Sequence, residues 1–260
     1  EFMRRALAAV IALSLGAAVS LGITRFAYAL LLPVMREDLG WSYTLAGAMN
    51  TANALGYLLG ALATPWLMRR WSAPAVLLAG SVLASGFMAA SGFFTDAAML
   101  LVQRLLAGVA SALVFVAGGL MAARLGAQSP RRAGLLLGLY YGGTGWGIAA
   151  SALGVPWVLR AAQGVAHGWA WAWWGLALLC LAATAVLWWP ANSLRKQELL
   201  AHGASPPKTD SPRNLPWRAM ALALAGYTLF GVGYIGYMTF VIALLREQGA
   251  SAGAVTLFYT

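Results

Sequence analysis

The sequence predicts an all-α integral membrane protein, on three observations. Apolar residues recur in seven long runs, each exceeding the roughly 20 residues that an α-helix needs to cross hydrocarbon. Of 260 residues, 61% are hydrophobic and 9% charged, with a mean hydropathy of +0.74. A soluble domain carries about 25% charged residues, so this chain lacks the side chains to coat a globule. Finally, its basic residues gather in short clusters between the apolar runs, as the loops of a membrane protein do.

Taken in order, residues 1–2 (Glu1-Phe2, ahead of Met3) read as a cloning scar and Met3 as the natural start. The first run, Ala6 to Met35, follows Arg4-Arg5 and at its front looks like a signal peptide. A cleaved leader gives way to polar sequence, whereas this run continues through Leu30-Leu31-Leu32-Pro33, so it reads as a retained span. The second run covers about Tyr43 to Met68, the third Ala73 to Phe94, the fourth Ala97 to Ala123 and the fifth Ala133 to Leu159. The sixth, Gly168 to Trp189, is closed by Pro190, and the seventh covers Ala219 to Leu245. An eighth has begun at Ala252 to Thr260, so the chain reads as the front part of a longer protein. Trp173-Trp174 and Trp188-Trp189 bracket the sixth run, at about 1.5 Å per residue roughly 22 Å apart, as rings at two membrane interfaces would be.

Lysine and arginine counts set a direction. Twelve lie in the loops of one side: Arg4, Arg5, Arg69, Arg70, Arg124, Arg131, Arg132, Arg195, Lys196, Lys208, Arg213 and Arg218. Three, Arg36, Arg160 and Arg246, lie in those of the other. The positive-inside rule then predicts a multi-pass protein of the inner (plasma) membrane with a cytoplasmic amino terminus. The same placement accounts for the net charge of +10 without nucleic acid. Residues 191–216, with Pro206-Pro207, Pro212 and Pro216, have no apolar period and are expected to form a mobile cytoplasmic linker. It would part a six-helix half, 3–190, from the start of a second half, 217–260. A weak repeat crosses it: Gly22, Tyr28, Gly40 and Ser42 match Gly231, Tyr237, Gly249 and Ser251 at one offset. Parallel repeats of this kind occur in transporters.

The chemistry-bearing residues are few. Cys180 is the single cysteine, which excludes an internal disulfide and a CxxC metal or redox site. Gly231-Val232-Gly233-Tyr234-Ile235-Gly236 spells GxGxxG but lacks the strand–turn–helix unit and the later acid of a dinucleotide site. No GxSxG occurs, both histidines fall in loops, and no acid lies within a span, so the sequence predicts no enzyme, no cofactor and no metal site. Two charges do lie within spans. Arg25 and Arg104 sit roughly 12–16 Å from the nearer span end at helical rise, with no span carboxylate to pair with. They are expected either to bond backbone carbonyls and tyrosines, to meet an acid elsewhere, or to bind a carboxylate or phosphate. Polar stripes run beside them: Tyr28 with Ser20 and Thr24, Asn50 and Asn53 with Tyr57, and Tyr227, Tyr234 and Tyr237. Such stripes either tie helices together or line a cavity. Glycines mark close approach: Gly60 in the second run, Gly108 in the fourth, and Gly134, Gly138, Gly142 and Gly147 in the fifth.

Arg104-Leu-Leu-Ala-Gly108-Val-Ala-Ser-Ala112 resembles the fourth-helix motif of the major facilitator superfamily. The fifth-run glycines resemble its antiporter motif loosely, without the usual Gly-Pro pair. After the second run, Gly60, Arg69 and Arg70 are present, but the family's acidic residue is replaced around Thr64-Pro65. Residues 22–60 and 231–249 look like the YbfB-like bacterial subgroup. The resemblance implies a major-facilitator-type bundle: a complete amino-terminal six-helix half, the seventh helix and the start of the eighth. It also implies alternating access around a cavity lined by the first, fourth and seventh helices, and a coupling proton.

Together these readings favour a secondary transporter of a small organic solute in the lipid bilayer, with an anionic group favoured by the arginines. Candidate substrate contacts are Arg25, Arg104, Tyr28, Asn50, Asn53, Tyr234 and Tyr237. Candidate packing and gating residues are Gly60, Arg69, Arg70, Gly108, Gly138, Gly142 and Gly147. The alternative is a non-transporting membrane receptor or scaffold subunit.

Overall fold

A computed structural model describes residues 2–201, 217–251, 253, 254 and 257. The proline-rich part of the expected linker, 202–216, and most of the eighth run lie outside the described residues. The helices are Phe2–Ala17 (α1), Ala27–Leu39 (α2), Tyr43–Arg70 (α3), Ala73–Ser91 (α4), Ala97–Ala127 (α5), Ala133–Ala161 (α6), Trp169–Ala201 (α7) and Trp217–Glu247 (α8). An eight-residue π-helical stretch, Ala18–Arg25, joins α1 to α2, so that the first span is one rod with a widened middle. The all-α membrane architecture is as expected.

Helix starts follow from local chemistry. Ser42, Ser72 and Asp96 accept hydrogen bonds from the backbone N–H groups of Leu45, Ala75 and Met99, at 3.1, 3.4 and 3.0 Å, capping α3, α4 and α5. One end differs from expectation. Pro190 does not close the sixth span, because α7 runs through it to Ala201. Prolines are tolerated inside membrane helices where neighbours re-satisfy the freed backbone, and Pro190 is buried between Leu187 and Ala191, both at 0% exposure.

Among the described residues, four helical stretches are long and apolar enough in themselves to cross a membrane: Met3–Leu39, Ala73–Ser91, Ala97–Ala127 and Trp169–Lys196. Helices α3 and α6 are as long, at 28 and 29 residues, but give up hydropathy to Asn50, Asn53 and Thr64 in one and to seven glycines in the other. Around α5 the bundle packs α3 and α4, with α4 also against α7 and α1 against α6; α8 leans on α2. The core has two parts along the bundle. One is built on Leu31, Leu32, Met49, Met88 and Trp173, the other on Leu13, Leu77, Val114, Met121 and Tyr140.

The repeat seen in the sequence is also geometric. Gly40 and Gly249 end α2 and α8 in the left-handed conformation, at φ 65° and 83°, which glycine adopts without a Cβ clash. Behind each, the following N–H reaches back five residues, Trp41 to the Arg36 carbonyl and Ala250 to the Leu245 carbonyl, both at 2.9 Å. Ser251 then accepts from Ala254 N–H at 3.2 Å as Ser42 does from Leu45. The corner after the first span and the corner after the seventh are therefore the same structure, one offset apart.

Candidate functional site

The π-helical stretch lies where the sequence puts Thr24 and Arg25. Widening each turn to i→i+5 bonding leaves groups available to neighbours, and such bulges concentrate at functional sites. Phe26 N–H bonds the Leu21 carbonyl at 3.1 Å, and Thr24 Oγ1 donates to the Val19 carbonyl at 2.6 Å. Across the helix, the Ser20 and Ser111 hydroxyls lie 2.8 Å apart and each reaches the other's carbonyl, at 2.7 and 2.8 Å. On its far side Gly22 meets α6 so closely that a Cβ there would lie 2.6 Å from the Gly147 Cα.

Arg104 is part of this clamp. It is 2% exposed and donates from Nη1 to the Thr24 carbonyl at 2.8 Å. Its guanidinium carbon lies 4.9 Å from the centre of the Tyr28 ring and 5.6 Å from that of Trp173. These ring faces give a buried cation electrostatic partners where a carboxylate is missing. Its Nε and Nη2 atoms, with Trp173 Nε1 and Gln103 Oε1, are buried without a hydrogen-bond partner among the described residues. Asn53 Nδ2 donates to Arg104's own carbonyl at 3.0 Å, and Tyr28 donates to the Ala46 carbonyl at 2.8 Å. Asn50, one turn from Asn53, is half-buried.

Close helix approach makes these bonds possible. A Cβ at Gly56 would overlap the Leu105 carbonyl, one at Gly60 would lie 2.5 Å from the Val109 carbonyl, and one at Gly108 would overlap the Asn53 carbonyl. Gly60 and Gly108 pack as expected, and Gly56, four residues before Gly60, joins them at the same spacing. In α6 the glycines fall into two series. Cβ atoms at Gly134, Gly138 and Gly142 would meet nothing within 4 Å among the described residues, whereas Gly143 would overlap Ser14 and Gly147 would lie 2.5 Å from the Ala18 carbonyl. The seam with α1 lies about 100° around the helix from the four-residue series, the angle of one residue.

Arg25 has a different setting. Half-buried, it places its guanidinium carbon 5.8 Å from the centre of the Tyr57 ring, and Tyr234 of α8 lies within electrostatic range. It makes no hydrogen bond or ion pair with a described residue. Next to it, Phe26 meets Tyr234 edge-on at 5.9 Å. Tyr237 is 57% exposed. The candidates thus form two groups: Arg104, Tyr28 and Asn53 bound into helix contacts, Arg25 and Tyr234 on the gap between α3 and α8.

That gap is shut at one end. Tyr43 at the start of α3 donates to the Glu247 carboxylate at the end of α8, with Arg36 stacked on the Tyr43 ring at 4.0 Å. Phe240 packs edge-on against Tyr43 at 6.3 Å and fills the space over Gly47. On the same face Asp38 accepts from Trp169 Nε1 at 2.6 Å and pairs with His167 Nδ1 at 2.6 Å. The His167 contact holds the Asp38 carboxyl below the usual carboxylate range. Beside it a cleft of about 360 Å³ is lined by Asp38, Arg160, Trp169 and Arg246 among others. Toward the opposite face, where Arg69 and Arg70 end α3, with Arg70 over Trp66 at 5.8 Å, the described α8 side chains from 217 to 230 are exposed. No three His, Cys, Asp or Glu side chains come together among the described residues.

Residues 17–260 match the family described as "Uncharacterised MFS-type transporter YbfB". The chain belongs to this family. No curated protein matches the sequence significantly. Among solved structures the chain is similar to a D-xylose-proton symporter, with a TM-score of 0.65 and 15% identity, over 99% of this chain and 65% of that one. It is also similar to tetrameric PepTSo2, with a TM-score of 0.60 and 18% identity, over 94% of this chain and 52% of that one. The family chain described here therefore spans about half the length of PepTSo2. At such identities the likeness is one of fold: a transporter-type helical bundle in a multi-pass membrane protein.

Proposed function

We propose that the protein is a secondary transporter of a small organic solute with an anionic group, working by alternating access in a bacterial inner membrane. The observation that carries this reading is Arg25, a cation within a span, facing the α3–α8 gap with neither hydrogen bond nor ion pair to a described residue. A charge in hydrocarbon costs several kcal/mol on contested scales and marks a solute or ion pathway by default. The basic face, holding the amino terminus, is cytoplasmic in this proposal, so the seal through Tyr43, Glu247 and Phe240 closes the external side. Tyr234 and Tyr237 join Arg25 as solute contacts. Arg104, Tyr28, Asn50 and Asn53 form the layer behind, able to reach solute when the halves rock. Gly60, Gly108 and Gly147 keep helices close enough to move as one body, and Arg69 and Arg70 gate the cytoplasmic end. Family membership supports transport in general, and a proton is the proposed coupling ion.

Counterflow into proteoliposomes of the full-length protein tests the reading, with a panel of labelled small carboxylates and their uncharged amides. Carboxylates are expected to exchange and amides to fail, with exchange lost in Arg25→Gln and driven by an inward proton gradient. Exchange unchanged in both Arg25→Gln and Arg104→Met would sink the proposal.

A further inference from the structure

Two aromatic walls flank Arg25. One belongs to the six-helix half: Tyr57 on α3 lies 6.4 Å from Phe115 on α5, which lies 5.4 Å from Tyr141 on α6. The other belongs to α8, where Phe230 stacks on Tyr234 at 5.4 Å and 14°, with Tyr227 at 6.3 Å from Phe230. Both walls converge on Arg25: its guanidinium carbon lies 5.8 Å from the centre of the Tyr57 ring, and Phe26 beside it meets Tyr234 edge-on at 5.9 Å. Tyr141, Phe230 and Tyr227 are 47, 62 and 77% exposed. Aromatic side chains dominate recognition where flat apolar surface meets a polar handle, and here one cation stands at the edge of both walls. The other span arginine, Arg104, is sealed behind the π-helical stretch at 2% exposure. In this conformation a ligand seated between the walls therefore meets one positive charge among the described residues.

Resting on the transport reading above, we propose that this site takes a ring-bearing monocarboxylate. The carboxylate meets Arg25, and the ring lies between the Tyr57–Phe115–Tyr141 wall and the Tyr227–Phe230–Tyr234 wall. Short aliphatic acids leave the rings uncovered. Dicarboxylates bring a second charge for which the described residues of the gap hold no further cation, and removing an unpaired charge from water is costly.

Competition against labelled benzoate, bound to the full-length protein in detergent, decides the matter. Cyclohexanecarboxylate is expected to compete within a few fold of benzoate. Acetate, phthalate and benzyl alcohol are each expected to be weaker by about tenfold or more, a loss of one good contact. Replacing one wall residue, Tyr57→Leu, is expected to weaken benzoate by about fivefold, the size of an aromatic pair, and to leave acetate unchanged, while Tyr57→Phe retains benzoate binding. A monodisperse size-exclusion profile for both variants separates loss of ring contact from loss of fold. Acetate equal to benzoate overturns the ring assignment and leaves the anion reading standing. Benzyl alcohol equal to benzoate overturns the anion reading beneath it, and absence of saturable benzoate binding to monodisperse wild-type protein overturns the proposal outright.

Discussion

Arg104 and Arg25 carry the same charge into the same bundle, yet their surroundings are opposites. Arg104 is enclosed between two ring faces, bonded to the Thr24 carbonyl and gripped through its own carbonyl by Asn53. Arg25 follows Thr24 directly and looks across a gap at Tyr57 and Tyr234. The adjacency is the lesson: Arg104 holds the carbonyl immediately before Arg25, which has no hydrogen bond to a described residue. One arginine fixes the backbone of the π-helical stretch, and by fixing it aims the other. On the proposed function, a buried cation that positions and a half-buried cation that recognises solute respond differently to substitution, and that difference can be measured.

The largest effect is expected at Arg104. Truncation in Arg104→Ala removes the bond to Thr24 and the mass that fills the space between Tyr28 and Trp173. The expected cost is of the order of 2–5 kcal/mol, that of emptying a packed core position, read as a lower thermal midpoint of the detergent-solubilised protein. Arg104→Met keeps the volume and sheds an incompletely paired buried charge, a change that is often neutral or stabilising, so it should recover most of the midpoint. Arg25→Ala, lacking those bonds, should move the midpoint by less than about 1 kcal/mol, the range of substitutions away from packed features. A drop for Arg25→Ala as large as that for Arg104→Ala would erase the distinction between the two residues.

Much of this contrast lay beyond the reach of the sequence, for identifiable reasons. The spans themselves were plain, because seven apolar runs with Ser42, Ser72 and Asp96 at their edges leave little freedom in where helices begin. Both arginines and the glycines Gly60 and Gly108 stood out for the same reason: residue types that are costly or special in a span. The Gly40 and Gly249 corners were legible too, since one offset joined them. What a one-dimensional pattern does not carry is which neighbour a given helix face meets. Depth placed Arg104 and Arg25 alike, and only the neighbouring Tyr28 and Trp173 rings separate them. The π-helical stretch left a faint signal, Gly22 between the hydroxyls of Ser20 and Thr24, which reads equally well as regular helix. Pro190 reads as a stop under a rule drawn from water, where a freed carbonyl has no packed neighbour to compensate it.

A smaller effect is expected along α6, whose two glycine series sharpen the same division between a tied and an untied face. Gly143 and Gly147 lie against Ser14 and Ala18, and Gly147 also meets Gly22 of the π-helical stretch. Gly147→Ala must push the first span away, at about 1–3 kcal/mol for overpacking, and should disturb the segment that Arg104 holds from the other side. Gly142→Ala, five residues before, meets nothing within 4 Å among the described residues and should gain a few tenths to about 1 kcal/mol from helix propensity. Thermal midpoints of the two variants check this directly. A midpoint lowered equally in both would mean that the open face of α6 is covered as tightly as the seam with α1.

The smallest effect is expected at the rim, where Asp38 and His167 make the exposed counterpart of the Arg104–Thr24 tie. Asp38 ends α2, and its partners His167 and Trp169 introduce α7, so the contact pins the carboxyl end of the first span to the sixth. The side chains remain 34% and 48% exposed, and water screens much of such a pair's energy. Its pH dependence has a definite sign all the same. Hydrogen bonding from His167 lowers the folded-state pKa of Asp38, so the folded protein binds a proton less readily than the unfolded chain, whose Asp titrates near 4. The stabilisation is therefore present above that unfolded value and disappears as pH falls through the lower folded one. Thermal midpoints of wild type and Asp38→Asn should differ at pH 6, with wild type higher, and converge as the pH is taken down through the carboxylate range. A gap that stays constant down to acid pH would show that Asp38 acts through its shape and its bond from Trp169, with its charge contributing nothing.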